Sequence, residues 1–191
     1  MIDLYIDFKS PASYLALKPT LALADELGVE IRWHPYNTKQ ETVPVEKPNE
    51  TKTETHFRVR ADLRQKTHLL YAAIQETPMS FRDVPGNTDL ALAALDTLPG
   101  DPLPFIQSAY HAYWIDKADL NDPAIVTSLL RAAKADVSET ILTEAAEHLP
   151  AHQLQAEENG IVDAPAYVVD GQIFIGREHL PWIRSILTEN E

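Results

Sequence analysis

Apolar and polar residues alternate at the start of the chain, where Ile2, Leu4, Ile6 and Phe8 are separated by Asp3, Tyr5 and Asp7. A period of two predicts a strand with one buried face. The period then changes. Leu15, Leu17, Leu21, Ala22, Ala24 and Leu27 give a broad apolar side to a helix predicted over 11–27, and Gly28 fits its C-terminal stop. Pro19 lies inside that helix and is expected to kink or split it. "VEIRWHPY" alternates again, with Val29, Ile31 and Trp33 on one face, and predicts a second strand. The opening is β-α-β.

The stretch "NTKQETVPVEKPNETKTET" is polar, carries two prolines and has little periodicity, so it reads as a long loop, with a mobile lid as a secondary reading. From about His56 to Glu158 the patterns are helical. Phe57, Leu63, Leu70 and Ile74 fall at roughly helical spacing over 56–76. Asn87 is placed to cap a helix carrying Leu90, Ala94, Leu95 and Leu98. Phe105, Ile106, Ala109, Tyr110, Tyr113 and Trp114 recur at core-like intervals over 102–115. Asp122-Pro123 reads as an N-cap and first helical residue ahead of Ile125, Val126, Leu129 and Leu130. Ser138 is placed to cap another helix and Pro150 to start a further short one.

The end returns to period two. "APAYVVDGQIFIG" predicts a hairpin closed by Asp170-Gly171, a favoured type I′ pair. "REHLPWIRSIL" predicts a last helix with Leu180, Ile183, Ile186 and Leu187 inward. The order is β-α-β, several helices, then β-β-α, without internal repeats. We expect residues 1–45 and 155–191 to form one α/β domain and 46–154 a helical insertion.

At 191 residues the chain is long enough to bury a full core. Its net charge of −13 argues against nucleic acid and anionic membrane as general partners. With no cysteine, disulfides, thiolate metal sites and dithiol redox chemistry are excluded. No signal peptide or membrane-length apolar run is apparent, so the expected location is cytoplasmic. His148 and His152 are four residues apart with Pro150 between them and no third ligand in view, and "DKADLND" lacks the glycine and terminal glutamate of a calcium loop. No metal is expected.

Two junctions carry candidate chemistry. Ser10, followed by Pro11, fits a helix N-cap whose hydroxyl accepts a first-turn N–H. The same place suits an anion, because a helix N-terminus offers unpaired N–H groups and partial positive charge. A serine there can donate to a ligand's thiolate, but without a paired base its own pKa is too high for it to replace that thiolate as nucleophile. The second junction is Asp163-Ala164-Pro165-Ala166. It is either a strand-start proline or a cis bond that leaves the Ala164 backbone to pair with an extended ligand.

With these two motifs, "IDFKSPASYLAL" and "DAPAYVVDGQIFIGREHL", the chain resembles the 2-hydroxychromene-2-carboxylate isomerase and kappa-class glutathione transferase group of the DsbA-like thioredoxin-fold superfamily. The resemblance covers nearly the whole chain in architecture and the two ends in residue detail. It implies an α/β, thioredoxin-like fold with a large helical insertion between the β-α-β and β-β-α halves. It further implies glutathione as cofactor, with Ser10 holding its sulfur. Ala164 and Pro165 would meet its cysteinyl part. The stretch Gly176-Arg177-Glu178-His179 matches the Gly-x-Asp-Arg segment that binds the γ-glutamyl end, so Arg177 and Glu178 are carried over, with Glu178 one methylene longer than aspartate and His179 in place of arginine. Asn49 is the candidate, by position, for an asparagine that the family uses after strand two. Pro11, Ser13 and His179 are supporting positions. Asp163 stands where the family often has glycine.

The implied reaction is addition of the glutathione sulfur to a conjugated, aromatic-type substrate, bond rotation and departure, or release of a conjugate in a transferase. A substrate pocket would lie between the thioredoxin-like part and the helices. Tyr110, Tyr113 and Trp114 are candidates to line it, although at this spacing core is the commoner role. A homodimer is implied by resemblance. The alternative is a cysteine-free thioredoxin-fold binding module without catalysis, favoured by Asp163 and His179.

Overall fold

In the computed structural model, the described residues are 1–39, 42–135 and 138–189. The polar stretch at Gln40 and Glu41 therefore lies outside them. Strand β1 (Ile2–Ile6) leads through α1 (Pro11–Leu27) to β2 (Ile31–Pro35). Five helices follow: α2 (Lys52–Ile74), α3 (Asp89–Thr97), α4 (Leu103–Trp114), α5 (Pro123–Ala132) and α6 (Glu139–Glu158). The chain closes with β3 (Ala166–Val169), β4 (Gln172–Ile175), a 3-10 turn at Arg177–His179 and α7 (Leu180–Glu189).

The sheet order is β2-β1-β3-β4. β1 and β2 run parallel, Leu4 opposite Trp33, while β3 is antiparallel to β1, with Tyr5 opposite Ala166. The β3–β4 hairpin turns at Asp170 and Gly171, both at positive φ (49° and 72°), as a type I′ pair requires. This is the mixed α/β order that the alternating ends predict, in the thioredoxin-like arrangement that the resemblance implies.

The helix starts and stops follow local chemistry. Gly28 ends α1 at φ 62°, where a side chain is disfavoured. Pro19 neither splits nor ends α1, because Leu15, Ala16, Thr20 and Leu23 are buried on both sides of it and hold the helix on the sheet. Pro150 likewise lies inside α6 and starts no new helix; Leu142, Ala145, Leu149 and Ala156 are buried around it. α2 begins earlier than the polar pattern predicts. Thr51 and Glu54 form a reciprocal capping box, so the last residues of the polar stretch are helical. Asn87 accepts the Asp89 N–H at the start of α3, but the capping position itself is Thr88, whose hydroxyl is used elsewhere.

The main buried cluster joins both parts of the chain. Ile2, Leu4, Ile6 and Phe8 meet Ala91, Leu92, Phe105, Ile106 and Tyr110. Tyr110, Tyr113 and Trp114 are fully buried, so they are core. The Trp114 indole N–H donates to the Phe8 carbonyl at 3.0 Å, and Tyr14 stacks on Trp114. Helix α2 departs from this rule. Only its Ala72 is buried, and Phe57, Leu63, Leu70 and Ile74, the residues that mark its period, face solvent. Among the described residues no helix is long and apolar enough to cross a membrane.

Candidate functional site

The end of β1 is fixed by a buried carboxylate. Asp7 continues the polar phase of strand one, yet it is fully buried, because the strand ends at Ile6 and the chain turns inward. Its Oδ2 accepts from the Thr38 N–H (2.7 Å) and hydroxyl (2.8 Å), and its Oδ1 from the Lys9 N–H (3.1 Å) and the Thr88 hydroxyl (2.8 Å). Lys9 Nζ lies 2.8 Å from Asp7 Oδ2 and donates to Asn37 Oδ1 at 2.5 Å. Asn37 in turn donates to Asp89 Oδ1. One carboxylate thereby ties together the ends of β1 and β2 and the start of α3. A buried charge with this many partners is satisfied, whereas loss of one partner exposes the full desolvation cost of the other.

The Ser10 N–H donates to the Asp7 carbonyl at 3.2 Å, which sets the turn into α1. The Ser10 hydroxyl accepts the Ser13 N–H at 3.2 Å, as an N-cap does. It also donates to the Ala164 carbonyl at 2.9 Å, 154 residues away. The Ser13 hydroxyl accepts the Asp7 N–H at 3.4 Å. Pro11 has no N–H, and the Ala12 N–H, in the first turn, has no intrahelical acceptor. Opposite Ser10, the Ala164–Pro165 peptide bond is cis and both residues are buried. The Ala164 N–H donates to its neighbour's Asp163 Oδ1 at 2.8 Å. Both backbone polar groups of Ala164 therefore have partners within the chain.

A cavity of about 670 Å³ opens at this junction. Ser10, Pro11, Ala12, Asp163 and Ala164 form one side. Thr38, Lys39 and Val43 come from the segment after β2, and Ala61, Arg64, Gln65 and His68 from α2. Phe81, Arg82 and Pro85 come from the connection to α3. The volume is that of an ordinary small-molecule site. Lys39, Arg64 and Arg82 bring positive charge to the lining, and Asp83 and Asp163 bring negative charge, so both signs face the cavity. Arg82 stacks on the Tyr113 ring at 4.5 Å and donates to the Ala118 carbonyl. Partial burial holds the His68 imidazole below its ordinary pKa, and the nearby Arg177 and Arg64 charges push the same way. Both effects favour the neutral imidazole.

The fold brings Ser10, Pro11 and Ala164 to this cavity, with Ser13 and Pro165 buried directly behind them. It places the other sequence candidates elsewhere. Asn49 sits exposed in the turn before α2 and does not line the cavity; the asparagine at the Lys9–Ser10 turn is Asn37. The Arg177 guanidinium lies 4.1 Å over the Tyr71 ring, joining the 3-10 turn to α2, and neither residue lines the cavity. Glu178 is exposed and folds back over Gly176, which needs its missing side chain there at φ 100°. His179 packs near the Phe174 ring at 5.8 Å. Four polar residues of the wall, Lys39, Arg64, His68 and Arg82, carried no sequence motif, and only tertiary packing assembles them. Among the described residues no group of His, Cys, Asp or Glu could hold a metal ion.

The order of the sheet, the inserted helices and the serine facing a cis-proline turn define a thioredoxin-type protein without its cysteines, and the DsbA-like thioredoxin domain family, which matches residues 1–188, is the family to which the chain belongs. It is 29% identical to a 2-hydroxychromene-2-carboxylate isomerase of Sphingobium xenophagum, covering 98% of each protein. A solved 2-hydroxychromene-2-carboxylate isomerase superposes with a TM-score of 0.75 at 17% identity, over 99% of this chain and 95% of that one. A cytosolic disulfide reductase of Pseudomonas aeruginosa, solved with glutathione, superposes at 0.61 with 17% identity, over 99% and 98%.

Proposed function

We propose that the protein is a glutathione-dependent isomerase or transferase acting on a small conjugated substrate, with the glutathione sulfur held at Ser10. The observation that carries this reading is the Ser10 hydroxyl at the N-terminus of α1, on the wall of the cavity and hydrogen-bonded to the Ala164 carbonyl. The relatives named above, an isomerase and a glutathione-bound reductase, support the same reading.

The donor set fits a thiolate. The helix N-terminus, the Ala12 N–H and the Ser10 hydroxyl all favour negative charge at one place. Ser10 releases the Ala164 carbonyl to donate to the ligand, and that carbonyl is then free for a ligand N–H. Arg64, Arg82 and Lys39 offer positive charge to carboxylates deeper in the cavity. Glutathione bound there supplies a nucleophilic sulfur that adds to and leaves a conjugated carbon. His68 takes up or returns a proton at the cavity wall, and Phe81 gives an aromatic substrate an apolar surface.

Calorimetry with reduced glutathione tests the reading, and millimolar or tighter binding is the result expected. No heat of binding by the folded protein at millimolar ligand would overturn it. The Asp163 carboxylate on the Ala164 N–H favours a second reading, a cysteine-free binding module, because it holds the donor that the glutathione backbone would use. Binding of glutathione without any thiolate formation would favour that module.

A further inference from the structure

Two opposite charges lie buried directly ahead of Ser10, and the chemistry proposed above uses neither. Asp7 is fully buried and the Lys9 side chain is 10% exposed. The Lys9 ammonium reaches Asp7 Oδ2 at 2.8 Å, Asn37 Oδ1 at 2.5 Å and the Thr88 hydroxyl at 3.4 Å. A lysine is seldom buried this far without a partner for its charge. Asp7 has other partners besides Lys9 Nζ. The Thr38 N–H and hydroxyl, the Lys9 N–H and the Thr88 hydroxyl all donate to its carboxylate. Such donors favour the charged form of a carboxylate, but being neutral they do not balance it. Lys9 brings the charge that does.

The place of the pair gives this balance a consequence. The Asp7 carbonyl accepts the Ser10 N–H at 3.2 Å, and the Asp7 N–H donates to the Ser13 hydroxyl at 3.4 Å. The Asp7 carboxylate also holds Thr38, which lines the same cavity as Ser10. An unbalanced carboxylate here would oppose a second negative charge on a sulfur at Ser10, because like charges disfavour each other's ionised form. Buried charges are also screened little by salt. Two further groups border the pair: Asp89, bonded to Asn37, and the Tyr110 hydroxyl, which donates to the Asp7 carbonyl at 3.4 Å. The cavity lining adds Lys39, Arg64, His68, Arg82, Asp83 and Asp163.

On the glutathione reading, we propose that Lys9 is a positioning residue that acts through Asp7. Its ammonium cancels the buried carboxylate charge, so Asp7 can join the ends of β1 and β2 to α3 without opposing a thiolate at Ser10.

Ultraviolet titration of thiolate absorbance tests this, with the full chain saturated by reduced glutathione. The wild type should ionise the bound thiol below the ordinary value of about 8.5. Lys9→Met removes the ammonium, and the acid constant of the bound thiol should fall at least ~10-fold. Lys9→Gln keeps an N–H for Asp7 and should show the same fall, including where the methionine variant does not fold. Asp7→Asn/Lys9→Met removes both charges, leaves no unpaired buried ion, and should bring the constant back toward the wild-type value. An unchanged constant in Lys9→Met or Lys9→Gln, with the wild type still below 8.5, would overturn the proposal and leave the glutathione reading standing. A double variant as weak as the single would also overturn it, because Lys9 would then act on the sulfur directly. Ionisation of the wild-type complex at the free value would overturn the glutathione reading and this proposal with it.

Discussion

Asp163 and Ser10 grip the two polar groups of Ala164, one its N–H and the other its carbonyl. A ligand that pairs with this backbone must displace both. Asp163 is exposed and swings away at little cost, but its charge stays near the sulfur position. Asp163→Ala therefore tightens glutathione binding, by about fivefold for one freed hydrogen-bond donor worth about 1 kcal/mol. An unchanged dissociation constant by calorimetry would show that glutathione does not use that N–H. Asp7 is the other residue on which the site depends. Asp7→Asn leaves the buried Lys9 ammonium without a counter-charge and costs about 3–5 kcal/mol, read from the urea midpoint at unchanged slope. Neither effect was legible beforehand. Asp7 continues the polar phase of strand one and looks outward until the end of the strand at Ile6 turns it in. The Asp163 bond spans one residue, and nothing in its spelling distinguishes it from a loop charge.

Helix α2 shows what local sequence does and does not reveal about an element. Its start was written in the chain as Thr51-x-x-Glu54, but two prolines and a run of polar residues upstream masked it as loop. Thr51→Ala removes the cap and costs about 1 kcal/mol of stability by chemical denaturation; no loss would mean the first turn does not contribute to the folded state. Its period was legible too, but not the side it faces, because the spacing of apolar residues does not say which side of a helix is covered. His68 on its inner face gives the helix a pH dependence. Its pKa is lowered below 6.5 by burial first and then by the Arg177 and Arg64 charges, so the unfolded chain binds the proton more readily than the folded one. Its contribution to stability is complete above pH ~6.5 and is lost as the pH falls through and below that value. Urea midpoints measured between pH 5 and 8 should fall less steeply toward acid in His68→Gln than in the wild type; parallel curves would contradict this.

For the whole molecule, the switch from period two to helical period and back disclosed the sheet and its inserted helices, since each strand and the Asp170-Gly171 turn follow local rules. One side of the candidate site was legible for the same reason. Ser10 and Ala164–Pro165 lie in the two end motifs, and the sheet order brings those ends together. The other side was not, because Lys39, Arg64, His68 and Arg82 come from three separate segments and meet only through packing. Asn49, Arg177, Glu178 and His179 are near the right elements in sequence yet lie outside the cavity lining.

The central claim is that Ser10 and the α1 N-terminus stabilise a thiolate that arrives with glutathione. Ultraviolet titration of thiolate absorbance, with glutathione bound to the wild type and to Ser10→Ala under conditions that saturate both, measures this directly. The bound thiol should ionise below the ordinary thiol value of about 8.5 in the wild type and return toward it in Ser10→Ala. Ionisation at the free value in the wild type, or at the same pH in both proteins, would contradict it.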